Sequence, residues 1–173
     1  MNEVIKALQT RRSIRKYKPD MIPDEIIDEI MEAGTYAATG MNRQAPIIIA
    51  IKDKVTRDKL EALNKKFFKV PFIKPFYGAP VVLVVLADKN VSTYLYDGSL
   101  VMGNLMLAAH SLGIGSCWIH RAKEEFETPE GKALLKSLGI KGDYEGIGHC
   151  ILGYPDEAPQ ARPRKKDYIY KID

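Results

Sequence analysis

The chain has only two cysteines, Cys117 and Cys150, in 173 residues. That is too few for a disulfide-stapled secreted scaffold. A chain this long buries roughly 70% of the surface its unfolded form exposes, so it needs neither bridges nor a structural metal to fold. It has no repeat, low-complexity tract or linker, and its 46% hydrophobic and 28% charged residues exclude a disordered or fibrous chain. One domain over residues 1–173 is the simplest organisation. The opening Met1-Asn2-Glu3-Val4-Ile5-Lys6 lacks the basic-then-apolar order of a signal peptide, so a cytoplasmic location is expected.

Familiar site signatures are missing as well. Gly113-Ile-Gly115 and Gly146-Ile-Gly148 lack the third glycine of a dinucleotide fingerprint, since Trp118 and Ile151 stand there. No phosphate-binding Walker loop and no G-x-S-x-G elbow occurs. His110, His120 and His149 do not stand at zinc-ligand spacings with the cysteines. Cys117 and Cys150 sit in apolar runs and read as inert buried thiols. No acid–base pair stands out, and an enzyme without such groups usually borrows the chemistry of a cofactor.

What is present is an uneven distribution of charge. The net charge of +4 is made of +5 in residues 1–18, +3 in residues 161–173 and −4 between them. Two basic ends are either solvated tails or two arms that converge on one anion such as a phosphate. A nucleic-acid binder would be basic throughout, so nucleic acid is not an expected partner.

Helical and strand patterns alternate. Val4, Ile5 and Leu8 mark a short first helix. Pro23 opens a second, with Ile26, Ile27, Ile30 and Met31 as its apolar stripe and Gly34 at its end. Residues 46–52 read as a buried strand rich in β-branched side chains. Residues 55–67 read as a helix with Leu60, Leu63 and Phe67 on one face. Residues 67–80, with three prolines and five aromatics, read as a packed loop or a lid. Residues 80–87 are a second buried strand. From Gly98 to His120 there are 23 residues without Asp, Glu, Lys or Arg. That length would span a bilayer, but the polar side chains within it and the Gly113–Gly115 break exclude a membrane span. The spacing predicts a helix over 93–112, apolar nearly all round, then a buried strand over 116–120. A second subunit is the economical cover for such a helix. Thr128-Pro129-Glu130 starts another helix, with Ala133, Leu134 and Leu138 inward and Gly139 as cap. Residues 146–153 are a last core strand, and Tyr168, Ile169, Tyr170 and Ile172 are expected to add an edge strand. The class is α+β, with a mixed, mainly antiparallel central sheet flanked by helices.

Two segments carry the functional signal. In Arg11-Arg12-Ser13-Ile14-Arg15-Lys16-Tyr17, the alternate residues Arg11, Ser13 and Arg15 share one side of an extended chain. They offer two guanidiniums and a hydroxyl, and guanidinium forks match phosphate oxygens. The second, Ala37 to Pro46, is a polar turn whose amides suit the hydrogen-bonding edge of a heterocycle.

In this order the segments resemble the nitroreductase family of flavin mononucleotide (FMN) enzymes. Residues 11–17 match its R-R-S-x-R-x-[FY] box. Residues 38–46 match its P-S-x-x-N-x-Q-P-W box in part: Ala38 and Thr39 replace Pro and Ser, Asn42 and Gln44 are kept, and Ala45-Pro46 stand where Pro-Trp is usual. The 93–112 helix is similar to the family's dimer-core helix, and Gly113–Ile119 to its G-x-G-[ST]-C-W-[IL] strand. Gly153-Tyr154-Pro155 is similar to its G-[YF]-P turn, and Arg162–Lys165 to its basic tail cluster. The resemblance implies an interlocked homodimer with FMN at each subunit interface. It implies that Arg11, Arg12, Ser13 and Arg15 bind the phosphate, ribityl chain and ring edge, with Arg162, Arg164 and Lys165 reaching the phosphate from the tail. Ala38, Thr39, Gly40, Asn42 and Gln44 would come from the other subunit, and Cys117, Trp118 and Ile119 would lie beside the flavin. Asn64 and Lys65–Lys69 would line the open face. The implied reaction is ping-pong, with NADH or NADPH as donor, flavin N5 as the reacting atom and a nitroaromatic, quinone or similar small molecule as acceptor. No metal and no catalytic side chain is expected. The alternatives are a specialised flavin enzyme of the same fold (a dehalogenase, an azoline oxidase or a flavin-fragmenting enzyme) and a non-catalytic binder of a phosphorylated ligand.

Overall fold

The computed structural model describes residues 2–172; Met1 and Asp173 lie outside the described residues. The elements run α1 (Glu3–Thr10), α2 (Asp24–Thr35), β1 (Pro46–Ile51), α3 (Lys54–Phe67), β2 (Val81–Asp88), α4 (Tyr94–Ser111), β3 (Gly115–Ile119), α5 (Ala122–Glu127), α6 (Pro129–Ser137) and β4 (Tyr144–Gly153). The four strands form one sheet in the order β1-β2-β4-β3, antiparallel throughout. Among the described residues the parallel pairing is a single bridge, Ser13 to Ser116.

The pleat sends alternate residues to opposite faces. Val81, Leu83, Val85, Cys150 and Leu152 pack against α2 and α4, while Val82, Val84, Leu86, Cys117 and Ile151 pack on the other face, against the side of α3, α5 and α6. Residues Val81 to Ala87 are fully buried, as a strand covered on both faces must be. Each such aliphatic side chain stabilises by about 1.5–3 kcal/mol relative to exposure.

Helix ends follow local chemistry. The Asn2 side chain accepts the Val4 N–H, Asp53 accepts that of Thr56, and Thr128 accepts that of Gly131. Gly139, at φ +71°, ends α6: its N–H donates to Lys136 and that of Ile140 to Leu135, the paired bonds of a Schellman cap.

Several expectations are corrected. Gly34 does not end α2. It lies inside the helix, where a Cβ would come within 2.6 Å of Leu105, so it sets the close approach of α2 to α4. Phe67 is exposed, because α3 ends there. In α6 Leu135 is buried and Leu134 packs against the same core, as expected of Leu134; Ala133 and Leu138 are exposed. α5 was not expected at all. Tyr168, Ile169, Tyr170 and Ile172 are exposed and form no strand. α4 is buried on one face, through Gly98, Val101, Met102, Leu105 and Ala109. Its other face leaves Leu95, Tyr96 and Leu100 46%, 74% and 50% exposed, and α1 leaves Val4, Ile5 and Leu8 exposed as well. Among the described residues no helix is long and apolar enough to cross a membrane.

Gly146 in β4 is a packing requirement. A Cβ there would sit 2.3 Å from the Ala122 carbonyl carbon and oxygen, and backbone cannot give way as a flexible side chain does. Gly146→Ala is expected to lower stability by about 1–3 kcal/mol, read as a lower urea midpoint.

Candidate functional site

The strip from Arg11 to Lys18 leaves α1 extended and crosses the end of the sheet where β3 begins and β4 finishes. The Ile14 N–H donates to Ser116 O at 2.9 Å, the Lys18 N–H to Tyr154 O at 2.9 Å, and the Asp156 N–H to Lys16 O at 2.9 Å. Tyr17 bridges Pro155. Two glycines clear the path: a Cβ on Gly115 would meet Ile14 at 3.0 Å, and one on Gly153 would meet the Tyr17 ring at 2.6 Å.

The alternate residues gather as their spacing predicts. Arg11, Ser13 and Arg15 all act on the Cys117 thiol. Burial pushes that thiol up, while the Arg15 charge, the Ser13 hydroxyl and the Arg11 charge pull the other way without reversing it. Cys117 therefore stays a protonated thiol near neutral pH. Burial pushes Cys150 higher still. Arg11 Nη1 and Ser116 Oγ are buried without a hydrogen-bond partner among the described residues. A buried guanidinium nitrogen left unpaired is costly and calls for an acceptor.

Arg12 faces elsewhere. Its Nη1 donates to Gln9 O at 2.8 Å and to Arg11 O at 2.7 Å, so it caps the carbonyl end of α1. It lines a cavity of about 370 Å³ with Thr10, His110, Ser116 and Glu157. His110 sits 2.9 Å from Thr10 Oγ1. Burial, then the Arg11 and Arg12 charges, hold its pKa below the ordinary value. The pleat also separates the β3 residues: Cys117 and Ile119 face the α3 side, whereas Trp118 faces α4 and lies over Gly148.

The second segment forms a tight turn pinned to the start of α4. Asp97, only 3% exposed, accepts the Gly40 N–H at 3.0 Å and the Thr93 hydroxyl at 2.9 Å. A Cβ on Gly40 would strike the Thr93 Oγ1 at 2.4 Å. Gln44 N–H donates to Thr39 Oγ1 and Gln44 Nε2 to Asn42 Oδ1. Met41, Asn42 and Gln44 all take positive φ, at 53°, 53° and 49°, a strained run that Asp97 and Thr39 hold in place. Ala38, Asn42 and Gln44 are exposed; Thr39 and Gly40 are half-buried.

Within one chain the two segments do not meet. The strip lies at the β3 edge, and the turn leads into β1 at the other edge. Three strand spacings separate those edges, about 14 Å. In the tail cluster Arg162, Arg164 and Lys165 are exposed, Arg164 donates to Arg162 O, and Lys165 lies over Tyr168. Asn64 does not line an open face. It is fully buried, with Nδ2 donating to His120 O at 2.8 Å and Oδ1 accepting from Arg121 Nε at 3.0 Å. The sequence did not reveal Asp97, which directly precedes the uncharged run, or Glu157, whose carboxylate accepts the Arg15 N–H. Nor did it reveal the fully buried His149–Glu125 pair, at 2.8 Å.

With this geometry in view, the comparisons are specific. The model of the Nitroreductase family matches residues 8–75 and 73–154. An NADH dehydrogenase/NAD(P)H nitroreductase of Archaeoglobus fulgidus is 35% identical over 91% of this chain and 88% of its own length. The crystal structure of a nitroreductase with bound FMN from Bacteroides fragilis superimposes with a TM-score of 0.89 at 29% identity, covering all of both chains. One from Desulfitobacterium hafniense, also with bound FMN, gives 0.89 at 28% identity and the same coverage. The chain belongs to the nitroreductase family.

Two outcomes test the site geometry. Asp97→Ala leaves the Gly40 N–H and the Thr93 hydroxyl without their acceptor, so a loss of about 1–3 kcal/mol is expected, with faster hydrogen exchange at Gly40. Cys117 is expected to resist iodoacetamide in the folded protein at pH 8, since it is buried and protonated; mass spectrometry reads the adduct.

Proposed function

We propose that the chain, as a single domain, is an FMN-dependent NAD(P)H oxidoreductase that works as a homodimer in the cytoplasm and passes electrons by a ping-pong mechanism to a nitroaromatic, quinone or similar acceptor. The observation that carries this reading is the buried, unpaired Arg11 Nη1 beside Ser13 and Arg15. A phosphate-bearing ligand satisfies such a cluster, because charge-assisted bonds to anionic oxygen are the strongest acceptors available to a guanidinium. The bound flavin would supply the two-electron chemistry between donor and acceptor.

The protein's own part is binding and exclusion. Arg11, Ser13 and Arg15 hold the phosphate and ribityl end. Arg12 is already committed to the end of α1 and acts there as a brace for Arg11. The exposed Arg162, Arg164 and Lys165 close over the phosphate from the tail. Thr39, Gly40, Asn42 and Gln44 serve the flavin of the partner subunit, consistent with their distance from the strip. The open faces of α4 and α1 support a dimer, since apolar surface of that extent seldom stays exposed on a monomer. Cys117 packs beside the cofactor as a neutral thiol and takes no chemical step.

The test is binding. The purified protein is expected to be yellow and to release FMN, not FAD, on denaturation. Arg11→Ala is expected to weaken FMN binding by about 1.5–3 kcal/mol, measured by flavin fluorescence. Unchanged affinity would return the strip to the status of a solvated basic segment. Steady-state kinetics are expected to give parallel double-reciprocal lines; intersecting lines would exclude the ping-pong order.

A further inference from the structure

Arg121 follows β3 and adopts a left-handed backbone, φ +78°, which costs energy for any residue with a Cβ. Such a conformation persists only where the surroundings over-determine it. Here it is held from several sides. Asn64 binds both His120 O and Arg121 Nε. The Phe68 ring lies 4.4 Å beneath the guanidinium. The His149 ring joins Glu125 of α5, at 2.8 Å, to Ile119 O, at 3.4 Å, so the turn from β3 into α5 is fixed from the core side too. Nε is the nitrogen that Asn64 uses; Nη1 and Nη2 make no hydrogen bond among the described residues.

The position of Arg121 gives those free nitrogens a role. β3 is an edge strand, and the Arg11–Lys18 strip bridges it at Ser116 alone among the described residues. From Cys117, where Arg11, Ser13 and Arg15 converge, the chain runs on to Arg121, four residues or about 13 Å away. The 68–77 loop spans the same interval. Its first residue stacks under Arg121 and its last, Tyr77, lies 6.0 Å from the Arg15 guanidinium. Lys65 Nζ fastens this loop to Val70 O and Ile73 O, and Glu61 accepts the Phe76 N–H. A half-buried, immobilised cation therefore stands at the end of the site opposite the phosphate-binding cations. A neutral nitroaromatic or quinone offers such a charge no anion. A resident flavin does, once it is reduced and carries negative charge.

We infer that Arg121 binds the reduced cofactor more tightly than the oxidised one and thereby sets the reduction potential of the bound flavin. The inference rests on the FMN reading above. The test is a spectroscopic redox titration of the flavin-loaded wild type, Arg121→Gln, Arg121→Lys and Arg121→Gly, with the affinity for oxidised FMN measured alongside. Arg121→Gly suits the left-handed backbone, so it removes the charge without new strain. Both neutral variants are expected to lower the potential by about 30 mV, a tenfold loss of reduced relative to oxidised binding for a two-electron couple. Oxidised FMN affinity should change less than threefold, and Arg121→Lys should retain more than half of the effect. Unchanged potentials in flavin-loaded Arg121→Gln and Arg121→Gly would overturn the inference and leave Arg121 a strut, with the FMN reading intact. A wild type that binds no FMN would overturn both.

Discussion

The strip from Arg11 to Lys18 can cross the end of the sheet only because β3 and β4 carry Gly115 and Gly153 there. That crossing ties α1 to the sheet, seats Ile14 in the core, and turns Arg11, Ser13 and Arg15 toward Cys117. It also fixes where the chain can go after β4, since Tyr154 and Asp156 hydrogen-bond the far side of the strip. The cationic half of the site is thus a product of backbone packing. Arg11 is left with a buried nitrogen that the described protein atoms do not satisfy, which is tolerable where a ligand completes the bond.

The same sheet imposes the second constraint. Its order places the strip and the Thr39–Gln44 turn at opposite edges, so neither edge alone offers both phosphate-binding cations and an amide-rich turn. In the proposed homodimer two copies would resolve this, each lending its turn to the other's strip. The open apolar faces of α4 and α1 are surfaces through which such copies can meet. Asp97 then has a larger role than its single hydrogen-bond pair suggests. It anchors the turn to α4, the helix through which the proposed partner would be met.

Much of this was legible in the sequence, and the exceptions have physical reasons. β2 is visible because a strand buried on both faces is an unbroken β-branched run. The strip is visible because period 2 puts Arg11, Ser13 and Arg15 on one side; the family resemblance adds Arg12 to them, and only the structure shows its Nη1 bonded to Gln9 O and Arg11 O. α5 was invisible because four of the six residues in Ala122–Glu127 are charged, and a pattern reading does not credit Glu125 as a core residue. It becomes one through His149, 24 positions further along the chain, beyond α6 and in β4. Leu138 looked inward by spacing, but the helix stops one residue earlier and the left-handed Gly139 turns the chain. The tail read as a strand because Tyr and Ile favour strands, a preference that has no force without a partner edge. The resemblance makes Asn64 a lining residue, whereas its amide is consumed in holding the left-handed Arg121, a pairing that spacing cannot show.

The most direct test of the account is a mixed dimer. One subunit carries Arg11→Ala; the other carries Thr39→Ala, Asn42→Ala and Gln44→Ala. Sites shared between chains put both defects into one site and leave the other whole, so the purified mixed dimer is predicted to bind one FMN at wild-type affinity while each parental homodimer binds weakly. If the mixed dimer has no site of wild-type affinity, strip and turn do not meet across the subunits and the account is wrong.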